Sequence, residues 1–361
     1  MMNTNIPFIN SRSDVIVEIA TPYSIGTGFY LKSFDLIVTN EHIIRSNKQV
    51  VISGATFKKQ IVPVLYLDPI SDLAFISPPE EHHMPDISLS NLSALKVGEE
   101  IMVIGDQNKK IANGKISHII YRDDATPYII HDISMNPANN GGPLYHPDGT
   151  IIGMNTFINQ NGEGIGYTLP STHIFSCIKE FREGNGFKGI RCASCKKLNF
   201  EEDDDSKSLC SNCGIGIKKI SDIQDYEPSG ICHTVESLID RLGYDVALTR
   251  KGPNNWCIKK SSIDVCISYY EKTGLLVGDM YMCSIPESSV SEIFEFMLKQ
   301  NYILEGITFS IKNNDIILSL LIYDQFINAD TIFTLFSHLL STSDKYDNIL
   351  IDMYGGKSKN V

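Results

Sequence analysis

The chain has 361 residues, more than the roughly 100–200 of a single domain, so two or three cores are expected. Lys and Arg number 31 against 43 Asp and Glu, and the net charge of −12 argues against a general affinity for nucleic acid or anionic membranes. Hydrophobic residues at 42% and charged residues at 20% exclude a disordered, collagen-like or coiled-coil chain, and no apolar run approaches the roughly 18–20 residues that cross a bilayer.

Short β-branched runs follow one another at Val15–Ile19, Gly28–Leu31, Leu36–Thr39, Gln49–Ile52, Ile61–Tyr66, Leu73–Ile76, Ile101–Ile104, Gly114–Ile120, Tyr128–His131, Ile151–Asn155 and Ile165–Leu169. Gly, Pro, Asn and Asp clusters separate them, the pattern of an all-β barrel or sandwich. After Pro170, Ile174, Ile178 and Phe181 recur at helical spacing, so a helix capped by Ser171 closes a first domain, residues 1–182. Residues 183–225 change character, with Gly184-Asn185-Gly186, two Cys pairs and the acidic run Glu201–Asp205. From 226 to 361 the pattern is α+β: helices at His233–Leu242, Val290–Lys299 (capped from Ser288-Ser289) and Ala329–Leu340. Strands are expected at Ala247–Thr249, Asn255–Lys259, Ile263–Tyr269, Leu275–Cys283, Phe309–Lys312 and Ile316–Tyr323.

Three pieces of the first domain belong together. Gly26-Thr27-Gly28-Phe29 and then Leu36-Ile37-Val38-Thr39-Asn40-Glu41-His42 place a histidine just past a buried strand. Asp68-Pro69-Ile70-Ser71-Asp72 puts a carboxylate at the head of another, and Ala138-Asn139-Asn140-Gly141-Gly142-Pro143 forms a glycine-rich turn. The order His, Asp, glycine-rich loop is that of the chymotrypsin-type triad.

With Leu95–Gly105 and Gly164–Ser171 added, residues 15–181 resemble the trypsin-like peptidases of the HtrA/Deg type. The resemblance implies two six-stranded β-barrels with a cleft between them. His42 takes the general-base position, Asp72 that of the orienting carboxylate, and Gly164, Ile165, Gly166 and Tyr167 a wall of the specificity pocket. The family's nucleophile motif is Gly-Asn-Ser-Gly-Gly-Pro, and Asn140 stands where its serine would be. A carboxamide has no hydroxyl for His42 to deprotonate, which closes the acyl-enzyme route. The oxyanion hole falls at Ala138 and Asn140, and Ala138 replaces the glycine whose N–H helps form it.

Three readings follow: a pseudoprotease that binds peptide by strand addition near Gly164–Tyr167 without cleaving it, a serine endopeptidase whose nucleophile has been substituted, and an adaptor with a vestigial cleft. A vestigial cleft need not keep His42 and Asp72 within hydrogen-bond reach.

Cys192-Ala193-Ser194-Cys195 and Cys210-Ser211-Asn212-Cys213 match the two knuckles of a zinc ribbon, in which four thiolates bind structural Zn²⁺. A segment this short needs the metal to fold. The other five cysteines (Cys177, Cys232, Cys257, Cys266 and Cys283) are scattered and odd in number, against a disulfide framework. Met1–Asn10 lacks the features of a secretory signal, so a reducing, cytoplasmic location is the expectation.

In the last domain Leu242-Gly243-Tyr244, Asn301–Phe309, Ile316–Tyr323 and Asp344–Asn348 resemble the YbjN family, whose fold is similar to the secretion chaperones. That resemblance implies a module that binds a protein partner, able to form a homo-oligomer and with no chemistry of its own. The fold class expected is therefore multidomain: an all-β chymotrypsin-like double β-barrel, a small zinc ribbon and an α+β C-terminal domain. Peptide or protein ligands are expected, with no nucleic acid and no membrane.

Overall fold

The computed structural model of the protein describes residues 12–90, 95–104, 111–121, 127–134, 139–160, 163–201, 208–260, 263–286 and 290–357. The chain divides into two compact units, Met1–Tyr226 and Glu227–Val361.

The first unit opens with β1 (Ile16–Ala20), β2 (Ile25–Leu31), β3 (Leu36–Thr39), the helical turn α1 (Glu41–Ile44), β4 (Gln49–Gly54), β5 (Phe57–Asp68) and β6 (Leu73–Ile76). These strands pair antiparallel in the order β5-β4-β1-β2-β3-β6, and β6 returns to β5 to close a barrel. A second closed antiparallel barrel contains β7 (Glu100–Ile104), β8 (Ile111–Tyr121), β9 (Pro127–His131), β10 (Pro143–Tyr145), β11 (Ile151–Gln160) and β12 (Glu163–Pro170). The two six-stranded barrels are those expected. Strand β10 is the one that the β-branched pattern did not mark, because its three buried residues directly follow the glycine turn.

Helix α2 (Ser171–Arg182) packs on the first barrel through Phe181, whose ring lies 5.6 Å from both Tyr66 and Phe75. Burying each such side chain contributes about 1.5–3 kcal/mol. Ser171 is not the cap. Pro170 holds that position, and the Ser171 hydroxyl donates to the Ser90 carbonyl at 2.7 Å. Strand β13 (Gly189–Arg191) adds parallel to β5, and β14 (Leu198–Phe200) adds to β13, so the chain after α2 extends the first barrel's sheet.

In the second unit α3 (Gly230–Arg241) and α4 (Val246–Thr249) precede β15 (Asn255–Lys260), β16 (Ile263–Tyr270) and β17 (Leu275–Ser284). Then come α5 (Val290–Ile303), β18 (Ile307–Lys312), β19 (Asp315–Tyr323) and α6 (Ala329–Asn348). The sheet runs β15-β16-β17-β19-β18, antiparallel throughout. Period-two burial along β16, with Ile263, Val265 and Ile267 inward, joins them to Ile239, Ile293, Phe336 and Leu339 from the helices in one core. The region is mixed α/β.

Two readings are corrected here. Ala247–Thr249 is helical, because the Asp245 carboxylate accepts from the Leu248 N–H at 3.2 Å and starts a turn where β-branched content pointed to a strand. Cys257 and Cys266 are not isolated: they stand opposite each other on β15 and β16 and form a disulfide. The cap assigned to Ser288-Ser289 and most of the acidic run Glu201–Asp205 lie outside the described residues.

Candidate functional site

Strand β3 is buried along its whole length and delivers His42 into α1 at the mouth between the barrels. Gly28 on β2 is required there, since a Cβ would sit 2.8 Å from the Val38 carbonyl oxygen. Asp72 occupies the turn between β5 and β6 in the left-handed region, with φ at 51°. The fully buried Asp68 builds that turn: its Oδ1 accepts from the N–H groups of Ile70 at 3.0 Å and Ser71 at 3.2 Å. Its Oδ2 meets the Arg191 guanidinium at 2.8 Å.

The result is a paired base and carboxylate. His42 Nδ1 lies 2.8 Å from Asp72 Oδ2, and the His42 backbone N–H donates to Asp72 Oδ1 at 2.9 Å. A carboxylate can only accept, so the ring contact calls for the proton on Nδ1 and leaves Nε2 to accept, while the backbone contact fixes where the carboxylate sits. Facing Nε2 at 3.4 Å is the side-chain amide nitrogen of Asn140. The amide donates in the direction a serine hydroxyl would, so the site keeps its tautomer. It offers no nucleophile, because the amide lone pair is delocalised into its carbonyl.

The loop bearing Asn140 is stitched to the first barrel at Thr27 and to β11 of its own barrel at Asn155. Thr27 N–H donates to the Asn140 carbonyl at 2.8 Å, Gly141 N–H to the Asn155 carbonyl at 2.9 Å, and Asn155 N–H to the Gly142 carbonyl at 2.8 Å. Gly141 adopts φ of +81°, and a Cβ there would lie 2.1 Å from the Thr27 oxygen. Ala138, the other expected oxyanion-hole position, lies outside the described residues.

One functional residue was not read from sequence. Asn40, fully buried, donates from Nδ2 to the Asp72 carbonyl at 3.0 Å and to Thr156 Oγ1 at 2.8 Å, tying the His42 turn, the Asp72 turn and β11 together. The available signal was an amide directly after a short, fully buried strand.

Gly164, Ile165, Gly166 and Tyr167 fall on β12, opposite Asn159, Ile158, Phe157 and Thr156 of β11. Gly166 and Tyr167 also pair with His131 and Ile130 of β9, so both their edges are occupied. The open edge belongs to β11: among the described residues its ladder with β10 stops at Met154, while its ladder with β12 runs on to Gln160.

The sulfurs of Cys192, Cys195, Cys210 and Cys213 all lie within 4.8 Å of one another. Cys192 and Cys213 are 3.7 Å apart and Cys195 and Cys210 3.4 Å, near the roughly 3.8 Å edge of a tetrahedron with metal–sulfur bonds of about 2.3 Å. The two knuckles share one geometry. Lys196 N–H returns to the Cys192 carbonyl at 2.9 Å and Gly214 N–H to the Cys210 carbonyl at 3.0 Å, and both turn residues have positive φ. Backbone N–H groups of Cys213 and Asn212 draw the Cys210 thiol down, whereas desolvation and the neighbouring sulfurs push the Cys213 thiol up. The donor set fits a metal. Asp68, His173 and Cys177 also cluster, but Arg191 already occupies the carboxylate and burial pushes the Cys177 thiol up to about 12.

Residues 26–154 match the trypsin-like peptidase domain family. The N-terminal half carries a trypsin-like peptidase domain of the HtrA/DegP type. The chain is 31% identical over 194 residues to a probable periplasmic serine endoprotease DegP-like from Chlamydia pneumoniae, covering 48% of this chain and 40% of that protein. It is 30% identical over 159 residues to a protein of the same description from Halomonas elongata, covering 41% of this chain and 33% of that one. The serine endoprotease from Yersinia pestis superposes with a TM-score of 0.44 at 21% identity, covering 52% of this chain and 71% of that chain. The chain thus spans less than half the length of these two curated relatives, and the peptidase domain is the shared part.

Proposed function

We propose that the peptidase domain binds an extended peptide without cleaving it. One observation carries the reading: Asn140 points its amide at His42 Nε2, 3.4 Å away, while the His42–Asp72 pair keeps hydrogen-bonding geometry at 2.8 Å. A triad lacking its nucleophile retains only roughly 10³–10⁴-fold acceleration over water, far below peptidase turnover. The ligand adds as a strand along β11 from Thr156, where backbone donors and acceptors lack a ladder partner among the described residues. The wall at Gly164–Tyr167 backs that strand.

The four-cysteine cluster holds structural Zn²⁺ in this reading. All four positions are filled by protein sulfur, so no coordination site remains for substrate. The second unit binds a protein partner, as its resemblance to the YbjN fold implies.

The test is Asn140→Ser in the zinc-loaded chain, treated with a serine-reactive phosphonate. The geometry predicts labelling at residue 140 that His42→Ala abolishes. A folded Asn140→Ser variant that stays unlabelled contradicts the claim that the base and carboxylate remain competent.

A further inference from the structure

The four-cysteine segment does not end at its second knuckle. Residues 218–226 run from it along the first barrel, with Ile220 and Ile223 buried in the barrel's core. Four contacts fasten this stretch. Glu201 accepts from the Ile220 and Ser221 N–H groups, Ser208 Oγ donates to Asp222 at 2.8 Å, Asp225 meets Lys48 at 3.7 Å, and Tyr226 packs edge-on to Tyr23 at 5.5 Å between ring centroids. Arg191, one residue before the first knuckle, meanwhile clamps Asp68 of the turn that presents Asp72. The module is therefore attached on both sides of its cysteines.

Between residues 218–225 and the barrel lies a cavity of about 530 Å³. Tyr23, His42 and Arg45 line one wall, and Lys218, Ile223 and Asp225 the other. A peptide laid along β11 and centred on Asn140 continues past His42, because the imidazole of a triad stands on the side of the departing amine. His42 itself lines the cavity, which places the cavity beside the base.

We propose that residues 218–225 make this cavity a subsite for an acidic side chain of the bound peptide, and that the metal of the four-cysteine cluster holds this wall in place. The inference rests on the peptide-binding reading of the cleft. The choice of an acidic side chain follows from the local charges. Asp225 is matched by Lys48, and Arg45 meets Glu41 at 4.0 Å, whereas Lys218 has no acidic partner among the described residues. That surplus ammonium stands out in a chain of net charge −12 and favours a carboxylate in the cavity. The role of the metal follows from size. The segment between the barrel and residue 218 has little core of its own, so its four thiolates hold together only around a cation.

Hydrogen–deuterium exchange on the full-length zinc-loaded chain, before and after metal removal by 1,10-phenanthroline, reads the wall without reference to any peptide. Uptake is expected to rise across 192–226 and, facing it, in 21–25 and 43–47, with 227–361 unchanged. A rise confined to 192–213 overturns the metal-held wall.

An array of immobilised dodecapeptides tiling β-casein, probed with the zinc-loaded chain and its Lys218→Glu variant, reads the subsite. Reversing this exposed charge is expected to cut signal on Asp- and Glu-containing peptides by about fivefold and to leave neutral peptides within about twofold. A uniform loss, or none, overturns the acidic subsite alone. A parent protein that captures no peptide overturns both the reading of the cleft and the subsite.

Discussion

Asn40 of the first barrel donates to the hydroxyl of Thr156 in the second at 2.8 Å, and the same amide group reaches the Asp72 carbonyl at 3.0 Å. One buried side chain thus sets the distance between the base, its carboxylate and the strand edge that receives a peptide. Asn40→Ala leaves two half-buried acceptors without this donor and is expected to destabilise the first unit by about 1 kcal/mol, read from the denaturant midpoint. Thr156→Val removes one acceptor while keeping the shape and is expected to cost less. Equal stability of Asn40→Ala and the parent would contradict this role.

Gly141→Ala tests the stitching of the Asn140 loop. The new methyl meets the Thr27 carbonyl at 2.1 Å in addition to a φ of +81°, so a loss of at least about 2 kcal/mol is expected. Gly186→Ala is the control. It has a φ of +96° with nothing within 4 Å and is expected to lose only about 1 kcal/mol. Similar losses for the two would show that the close approach at Gly141 is not what holds the loop.

The disulfide between Cys257 and Cys266 closes a loop of sequence separation 9, for which chain entropy predicts about 2–3 kcal/mol of stabilisation. Replacing both cysteines with serine should lower the unfolding midpoint of the second unit and leave that of the first unchanged. Thermal melts under reducing and non-reducing conditions give the same comparison for the parent.

Burial in the second barrel holds the His131 imidazole below its usual value. The unfolded chain therefore binds this proton more readily than the folded one. The resulting stability is fully present above about pH 6.5 and is lost as the pH falls through the depressed folded value. Denaturant midpoints at about pH 7 and about pH 5 should drop less for His131→Gln than for the parent. An unchanged drop would exclude His131 as a contributor.

His42, Asp72, position 140 and the four cysteines were legible because each sits in a short motif whose spacing carries the chemistry. The strands of the first unit's barrels were legible from their rhythm, apart from β10, which is only three residues long, whereas their closure into two barrels was what the family resemblance implied. Features made by distant pairing were not. The Asn40–Thr156 bond joins residues 116 apart, and Arg191 reaches Asp68 across 123. The open edge of β11 depends on where β10 stops, and the Cys257–Cys266 disulfide on the register of a hairpin. None of these has a local pattern. At Ala247–Thr249 the local pattern was present but was outweighed by the Asp245 cap.

The central claim is that the protein holds a peptide and leaves it whole. Its most direct test is to incubate the zinc-loaded chain with excess unstructured β-casein peptides, isolate the complex, and identify bound and free species by mass spectrometry over several hours. The account predicts bound peptides of full length and no new termini, with capture weakened by a Thr156→Pro change in the β11 edge. New peptide termini that accumulate with time and vanish in His42→Ala would contradict it.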